Sequence, residues 1–178
     1  VIKAMDQYIR FVFITGISKF SKVGVFSAMN NLDDLTMDPQ FATALGITEE
    51  ELRRDFQDHI AAFATKMGIP REALLQQIRE WYNGFCFVEN CASVYNSFST
   101  LQLFNKQRFA NYWFETGTPT FLINLLRANN YPVAKLEKLV LKEIDFNTYD
   151  LENLDIVPLL FQTGYLTIKG YEKEAGEE

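Results

Sequence analysis

A mainly helical fold with small β elements is predicted by three features of this sequence. Apolar residues recur at helical spacing from Leu52 through Phe56, Ile60 and Phe63 to Met67, and again over Leu74, Leu75, Ile78, Trp81 and Tyr82. Helix-start and helix-stop chemistry brackets those runs: Thr48 with Glu51 three residues on, Gly68, then Pro70. The β signals are few and short. They are the apolar run Phe11 to Ile14, a hairpin-like stretch from Phe85 to Tyr95, and Tyr165 to Ile168.

In chain order, Val1 to Ile9 reads as the end of a helix leading into a strand. Phe11, Val12, Phe13 and Ile14 show no polar alternation, the pattern of a strand covered on both faces. Thr15 and Gly16 close it at the end where open α/β sheets place ligands, with Ser18, Lys19, Ser21 and Lys22 directly after. Such a strand needs neighbours, so it reads as the last part of a nucleotide-binding sheet whose earlier strands are missing. Asn30 to Asp34 reads as a surface loop, and Asp38-Pro39 as an N-cap with proline at the first helical position, the short helix ending at Gly46. One continuous helix is expected from the Thr48 capping box to Gly68, and a second from Pro70 to Asn83-Gly84, with Asn or Gly taking the left-handed conformation. Ser97 or Ser99 caps a short helix through Leu103, and Thr118-Pro119 opens another from Thr120 to Leu126. Val140 to Ile144 is open between strand and helix. Leu154 to Phe161 reads helical with its proper start near Pro158, Gly164 breaks it, and Tyr165 to Ile168 alternates as a strand. Helix, glycine, strand and Gly-Tyr turn together resemble the start of a winged-helix wing, whose return strand would lie beyond Glu178.

Composition narrows the function. The 178 residues are 48% hydrophobic and 15% aromatic, with sixteen Phe, enough for a real core and for apolar faces that meet a partner. Acidic residues outnumber basic ones by 23 to 17, which disfavours nucleic-acid binding by the whole surface, since phosphate neutralisation needs a basic excess. Cys86 and Cys91 are the only cysteines, so ordinary thiols in a reduced, cytoplasmic interior are expected, and with one distant His59 they fall short of a zinc site. No run approaches the roughly 20 apolar residues of a membrane span. No catalytic set emerges: His59 lacks triad partners, the acid pairs Asp33-Asp34 and Glu49 to Glu51 suit loop and helix-start charges, and Glu172-Lys173-Glu174 lacks a nuclease frame.

Five stretches, in one order, carry a more specific signal. FVFITGISKFSK (Phe11 to Lys22), FSAMNNLDDLT (Phe26 to Thr36), WYNGF (Trp81 to Phe85), VYNSFS (Val94 to Ser99) and NYWFETGTPTFLI (Asn111 to Ile123) span most of the chain. Together they resemble the C-terminal part of the predicted AAA-ATPase-like proteins, a P-loop NTPase family of bacteria whose members carry the P-loop and Walker B acid in an N-terminal portion. Many members continue into a PD-(D/E)XK nuclease-like domain. The departure is that no G-x-x-x-x-G-K-[ST] occurs here, and no apolar strand ends in a magnesium-organising acid. The chain alone is therefore not expected to hydrolyse ATP, and it is expected to hold no cofactor or metal, ATP and magnesium belonging to the parent family.

The resemblance implies that Phe11 to Thr15 is a sensor-1 strand whose terminal Thr15 faces the γ-phosphate and attacking water, with Ser18 and Lys19 assisting. The plainer reading makes Thr15 a strand cap and the lysines solvated charges. It also implies a helical lid in which Tyr82 or Phe85 stacks on the adenine, against the plainer reading of WYNGF as a helix C-cap. The implied organisation is a remnant of the nucleotide-binding domain over 1–36, a helical lid with a small hairpin over 37–130, and a winged-helix-like end over 131–178. The expected function is the sensor-and-lid portion of an AAA-like NTPase, against a protein-interaction module or a winged-helix nucleic-acid binder. The expected partners are a missing N-terminal P-loop portion, another chain, or a second copy.

Overall fold

The computed structural model describes residues 7–15, 33–89, 91–117, 120–128, 130–132, 134, 136, 139–141 and 156–171. The fold is mainly α with one small three-stranded antiparallel sheet. The chain divides into two compact units, one of residues 34–118 with 167–178 and the other of residues 1–33 with 119–166.

The first unit begins with a 3-10 turn, Pro39–Phe41, capped as expected by Asp38, whose carboxylate accepts the Gln40 N–H at 2.8 Å. Helix α1 (Glu49–Asp55) opens with the expected capping box. The Thr48 N–H donates to Glu51 Oε2 at 2.9 Å, and the Glu51 N–H donates to Thr48 Oγ1 at 3.2 Å. Two orphan helix-end donors are satisfied reciprocally, a device worth about 1 kcal/mol. The single helix expected as far as Gly68 is in fact two, because Phe56 (φ −112°, ψ 15°) leaves helical geometry and α2 (Gln57–Met67) restarts after it. Gly68 ends α2 at φ +67°, the left-handed conformation that glycine adopts without a Cβ penalty.

Helix α3 (Arg71–Tyr82) begins after Pro70 and buries Leu74, Leu75, Ile78 and Tyr82. Asn83-Gly84 does not form the expected left-handed cap. Asn83 is extended (φ −89°, ψ 163°) and opens strand β2 (Asn83–Phe85), with Gly84 at φ +123° in a register irregularity against β3 (Val94–Asn96). The expected hairpin thus exists. A third strand unseen in the sequence, β1 (Gly46–Ile47), pairs with the other side of β3, placing Gly46 opposite Asn96 and Ile47 opposite Tyr95. A side chain at Gly46 has no room, since its Cβ would lie 2.1 Å from Val94 Cγ2, and Val94 is buried.

Helix α4 (Ser97–Lys106) is capped by Asn96 rather than by a serine, its amide oxygen accepting the Ser99 N–H at 2.9 Å. Helix α5 (Tyr112–Gly117), not anticipated, comes next. Leu52, Ile60, Phe63, Leu74, Ile78, Tyr95, Leu103 and Tyr112 form the core of this unit. Met67, expected on the apolar face, is exposed.

In the second unit, α6 (Thr120–Ala128) ends near Asn130, which takes φ +47° with its N–H on the Arg127 carbonyl. Helix α7 (Ile156–Gln162) contains Pro158 in its first turn, where proline costs no helical hydrogen bond. Ile156, Leu159 and Leu160 pack with Leu126, Tyr131, Leu136, Tyr165 and Leu166. Gly164 ends α7 at φ +78°, as its position predicts.

Two expected strands are not seen among the described residues. Residues 11–15 join no β ladder among the described residues, and Phe11 and Phe13 stand 80% and 64% exposed. Residues 165–168 join no β ladder among the described residues; the Tyr165 and Leu166 N–H groups instead both reach the Leu160 carbonyl, at 2.8 and 3.1 Å. Residues 118–119 and 142–144 lie outside the described residues.

Candidate functional site

Of the residues singled out by resemblance, Thr15 is exposed in the unit of residues 1–33 and 119–166, and Ser18 and Lys19 lie outside the described residues. Tyr82 and Phe85 belong to the other unit, on α3 and β2. Tyr82 is a core residue. Its hydroxyl donates to the Ala110 carbonyl at 2.9 Å and accepts the Ala110 N–H at 3.1 Å, tying the end of α3 to the segment before α5. Its ring stacks on Phe109 at 6.1 Å and 9°. Burial pushes the Tyr82 phenol up, partly offset by the hydrogen bond to Ala110. Phe85 is half-buried and meets Trp113 edge-on at 6.4 Å. The open ring of the WYNGF stretch is Trp81, 48% exposed and tilted against Phe109 at 5.6 Å.

Among the described residues, the densest polar arrangement was not foreseen from sequence. Glu49, in the first turn of α1, accepts the hydroxyl of fully buried Tyr95 from β3. The same carboxylate takes Arg79 from α3 at 2.9 Å and Arg53 at 2.7 Å, while Arg53 also reaches Glu72 with both terminal nitrogens at 3.1 Å. One carboxylate thereby joins α1, α3 and the sheet. Burial raises its carboxyl, but the hydrogen bonds from Tyr95, Arg79 and Arg53 outweigh that and bring it from 4.5 to about 2. Burial, and then the Glu49 carboxylate, pushes the Tyr95 phenol up. Glu49, expected as a plain helix-start charge, is a structural junction; the missed signal was the Tyr95 hydroxyl 46 residues away.

A depressed carboxyl contributes stability above its unfolded value, and that contribution is lost as pH falls through the folded value. Acid titration of stability should therefore show a loss between about pH 5 and pH 2 that Glu49→Gln removes. Its size should be about 1 kcal/mol, since solvent screens the partly exposed Glu49 and its arginine partners. Urea midpoints of both proteins at pH 7 and pH 3 measure it; parallel acid losses in both would place the acid sensitivity elsewhere.

Cys86 and Cys91, expected as ordinary thiols, are joined by a disulfide. The turn between β2 and β3 brings their Cα atoms to 6.0 Å, within bridging range. Cys86 is held from outside the hairpin as well: its N–H donates to Thr167 Oγ1 at 2.7 Å and its carbonyl accepts the Ile168 N–H at 3.3 Å. Among the described residues no group of three or more His, Cys, Asp or Glu is placed to hold a metal ion, and no helix is long and apolar enough to cross a membrane.

The chain is 40% identical over 169 residues to an uncharacterised protein in the vnfD 5′ region of Azotobacter chroococcum mcd 1, an alignment covering 94% of this chain and 30% of that protein. The chain thus spans about a third of the length of the curated relative it matches. No family model and no solved structure matches it.

Proposed function

We propose that this chain is the sensor-and-lid portion of an AAA-like NTPase, contributing nucleotide-state sensing while a P-loop in an N-terminal portion of the same polypeptide binds the phosphates. The single observation that carries this reading is the exposure of Phe11 and Phe13 in an unbroken apolar run. Leaving such side chains in water forfeits about 1.5–3 kcal/mol each, so the run is suited to a sheet supplied by a nucleotide domain. The order of the five motif stretches and the helical unit of α1 to α5 support the lid assignment. The winged-helix-like assignment for 131–178 belongs to the same proposal and rests on the succession of α7, Gly164 and the Gly170-Tyr171 pair.

Calorimetric titration of the chain with Mg-ATP should be flat, because P-loop enzymes draw their phosphate electrostatics from a lysine, backbone cradle and magnesium carboxylate that this sequence lacks. Micromolar binding with turnover would overturn the assignment. The reading frame upstream of this chain should encode a G-x-x-x-x-G-K-[ST] stretch, and its absence there would do the same. A second reading, a protein-interaction module, is favoured by Leu45, Phe98 and Leu101, which are exposed around the start of α4, where the Ser97 hydroxyl donates to the Leu45 carbonyl. Self-association in sedimentation runs, with no upstream P-loop, would select it.

A further inference from the structure

The Cys86–Cys91 bridge closes a loop with a sequence separation of only 5, at the place where Cys86 ties the β2–β3 hairpin to residues 167 and 168. A bridge this local removes little chain entropy compared with one closing a long loop. Nor is a single bridge in 178 residues the dense network that staples small secreted domains. Both cysteines are half-buried, open enough for a small thiol to approach. The loop also offers the reduced form a place to settle, since the Val88 carbonyl lies 3.1 Å from Cys86 Sγ and the Cys91 carbonyl 3.9 Å away. A Cys86 thiol has acceptors waiting without any rebuilding of the hairpin.

We propose that Cys86 and Cys91 form a reversible thiol–disulfide site that sets how firmly the β2–β3 loop holds the segment at Thr167. The reductant is a dithiol. One of its thiolates attacks a sulfur of the bridge, forming a mixed disulfide and expelling the other cysteine as a thiolate. The second thiol then displaces the remaining cysteine. The bridge gains two electrons and two protons as two thiols, and the dithiol becomes a disulfide. Oxidised, the bridge fixes Cys86 so that its N–H and carbonyl meet Thr167 and Ile168; reduced, the Cys86 thiol donates to the Val88 carbonyl already beside it, the covalent tie to Cys91 is gone, and the anchor loosens. This inference does not depend on the nucleotide reading.

The test uses the full chain in glutathione buffers of graded oxidation, trapped with a maleimide and weighed. Both sulfurs should be blocked in oxidising buffer, and both should label after dithiothreitol. Hydrogen exchange at the Cys86 and Ile168 amides should then be at least tenfold faster in the reduced chain, and the thermal midpoint should fall by about 4–8 °C. Thr167→Val should raise exchange at Cys86 in the oxidised chain and, because the coupling is reciprocal, move the labelling curve toward the thiol form. Cys86→Ser with Cys91→Ser should match the reduced chain in any buffer. Free thiols throughout the oxidising range would overturn the site. Equal exchange at Cys86 and Ile168 in both redox states would overturn the coupling to Thr167.

Discussion

Tyr82→Ala is expected to destabilise the unit of residues 34–118 by about 3–5 kcal/mol, the range for removing a large buried aromatic side chain. The ring lies in the core with Ile78 and Leu103, stacks on Phe109, and carries a hydroxyl with two bonds to the Ala110 backbone. Truncation leaves a cavity, strips the Ala110 N–H of its Tyr82 partner, and leaves the Ala110 carbonyl with the Tyr112 N–H alone. Tyr82→Phe separates these effects: it keeps the ring and should cost about 1–2 kcal/mol, the size of a lost hydrogen-bond pair at a half-buried backbone. Trp81→Ala, on the exposed neighbour, should cost about 1 kcal/mol through its lost contact with Phe109. Urea unfolding of the three variants gives the order directly. An adenine-stacking role for Tyr82 predicts the reverse pattern, a folded Tyr82→Ala protein within about 0.5 kcal/mol of the parent, as at an ordinary surface site, and weaker nucleotide binding in the longer polypeptide.

What the sequence made legible was chemistry that closes within a few residues. Asp38 with Gln40, Thr48 with Glu51 and the left-handed glycines at 68 and 164 are set by neighbours along the chain, so their types and spacing suffice. Long-range pairing was not legible. Gly46–Ile47 is too short to show alternation, and its place in the sheet depends on Asn96 and Tyr95, some 50 residues on. The junction at Glu49 hides for the same reason: three glutamates open α1, and nothing local marks the first as the partner of a buried tyrosine. Asn96 displaced Ser97 and Ser99 as the cap of α4 because Asn and Ser cap about equally well and the strand ends at Asn96. The run at Phe11 to Ile14 reads as a covered strand by composition alone, yet a strand is a relation to neighbours, and none of the described residues provides one.

Thr15→Ala divides the sensor reading from a structural one. In a longer polypeptide that carries a P-loop ahead of the residues matching this chain, it is expected to lower turnover by about 10²–10³-fold while nucleotide affinity stays nearly intact. The physical reason is that a hydroxyl directed at the γ-phosphate and attacking water acts mainly where charge develops, in the transition state. Losing one such donor costs about 2.7–4 kcal/mol there and little in the ground state. In the present chain the same substitution should leave the unfolding midpoint within about 0.5 kcal/mol of the parent, as for an ordinary surface site, because Thr15 is exposed and outside any β ladder among the described residues. A strand-cap role in the longer protein predicts the opposite pairing: a stability loss of about 1 kcal/mol from one hydrogen bond, with turnover per folded molecule unchanged. Turnover number and thermal midpoint measured on the same mutant decide it, since the hydroxyl either waits for a phosphate or ends a strand, and only the first moves the rate.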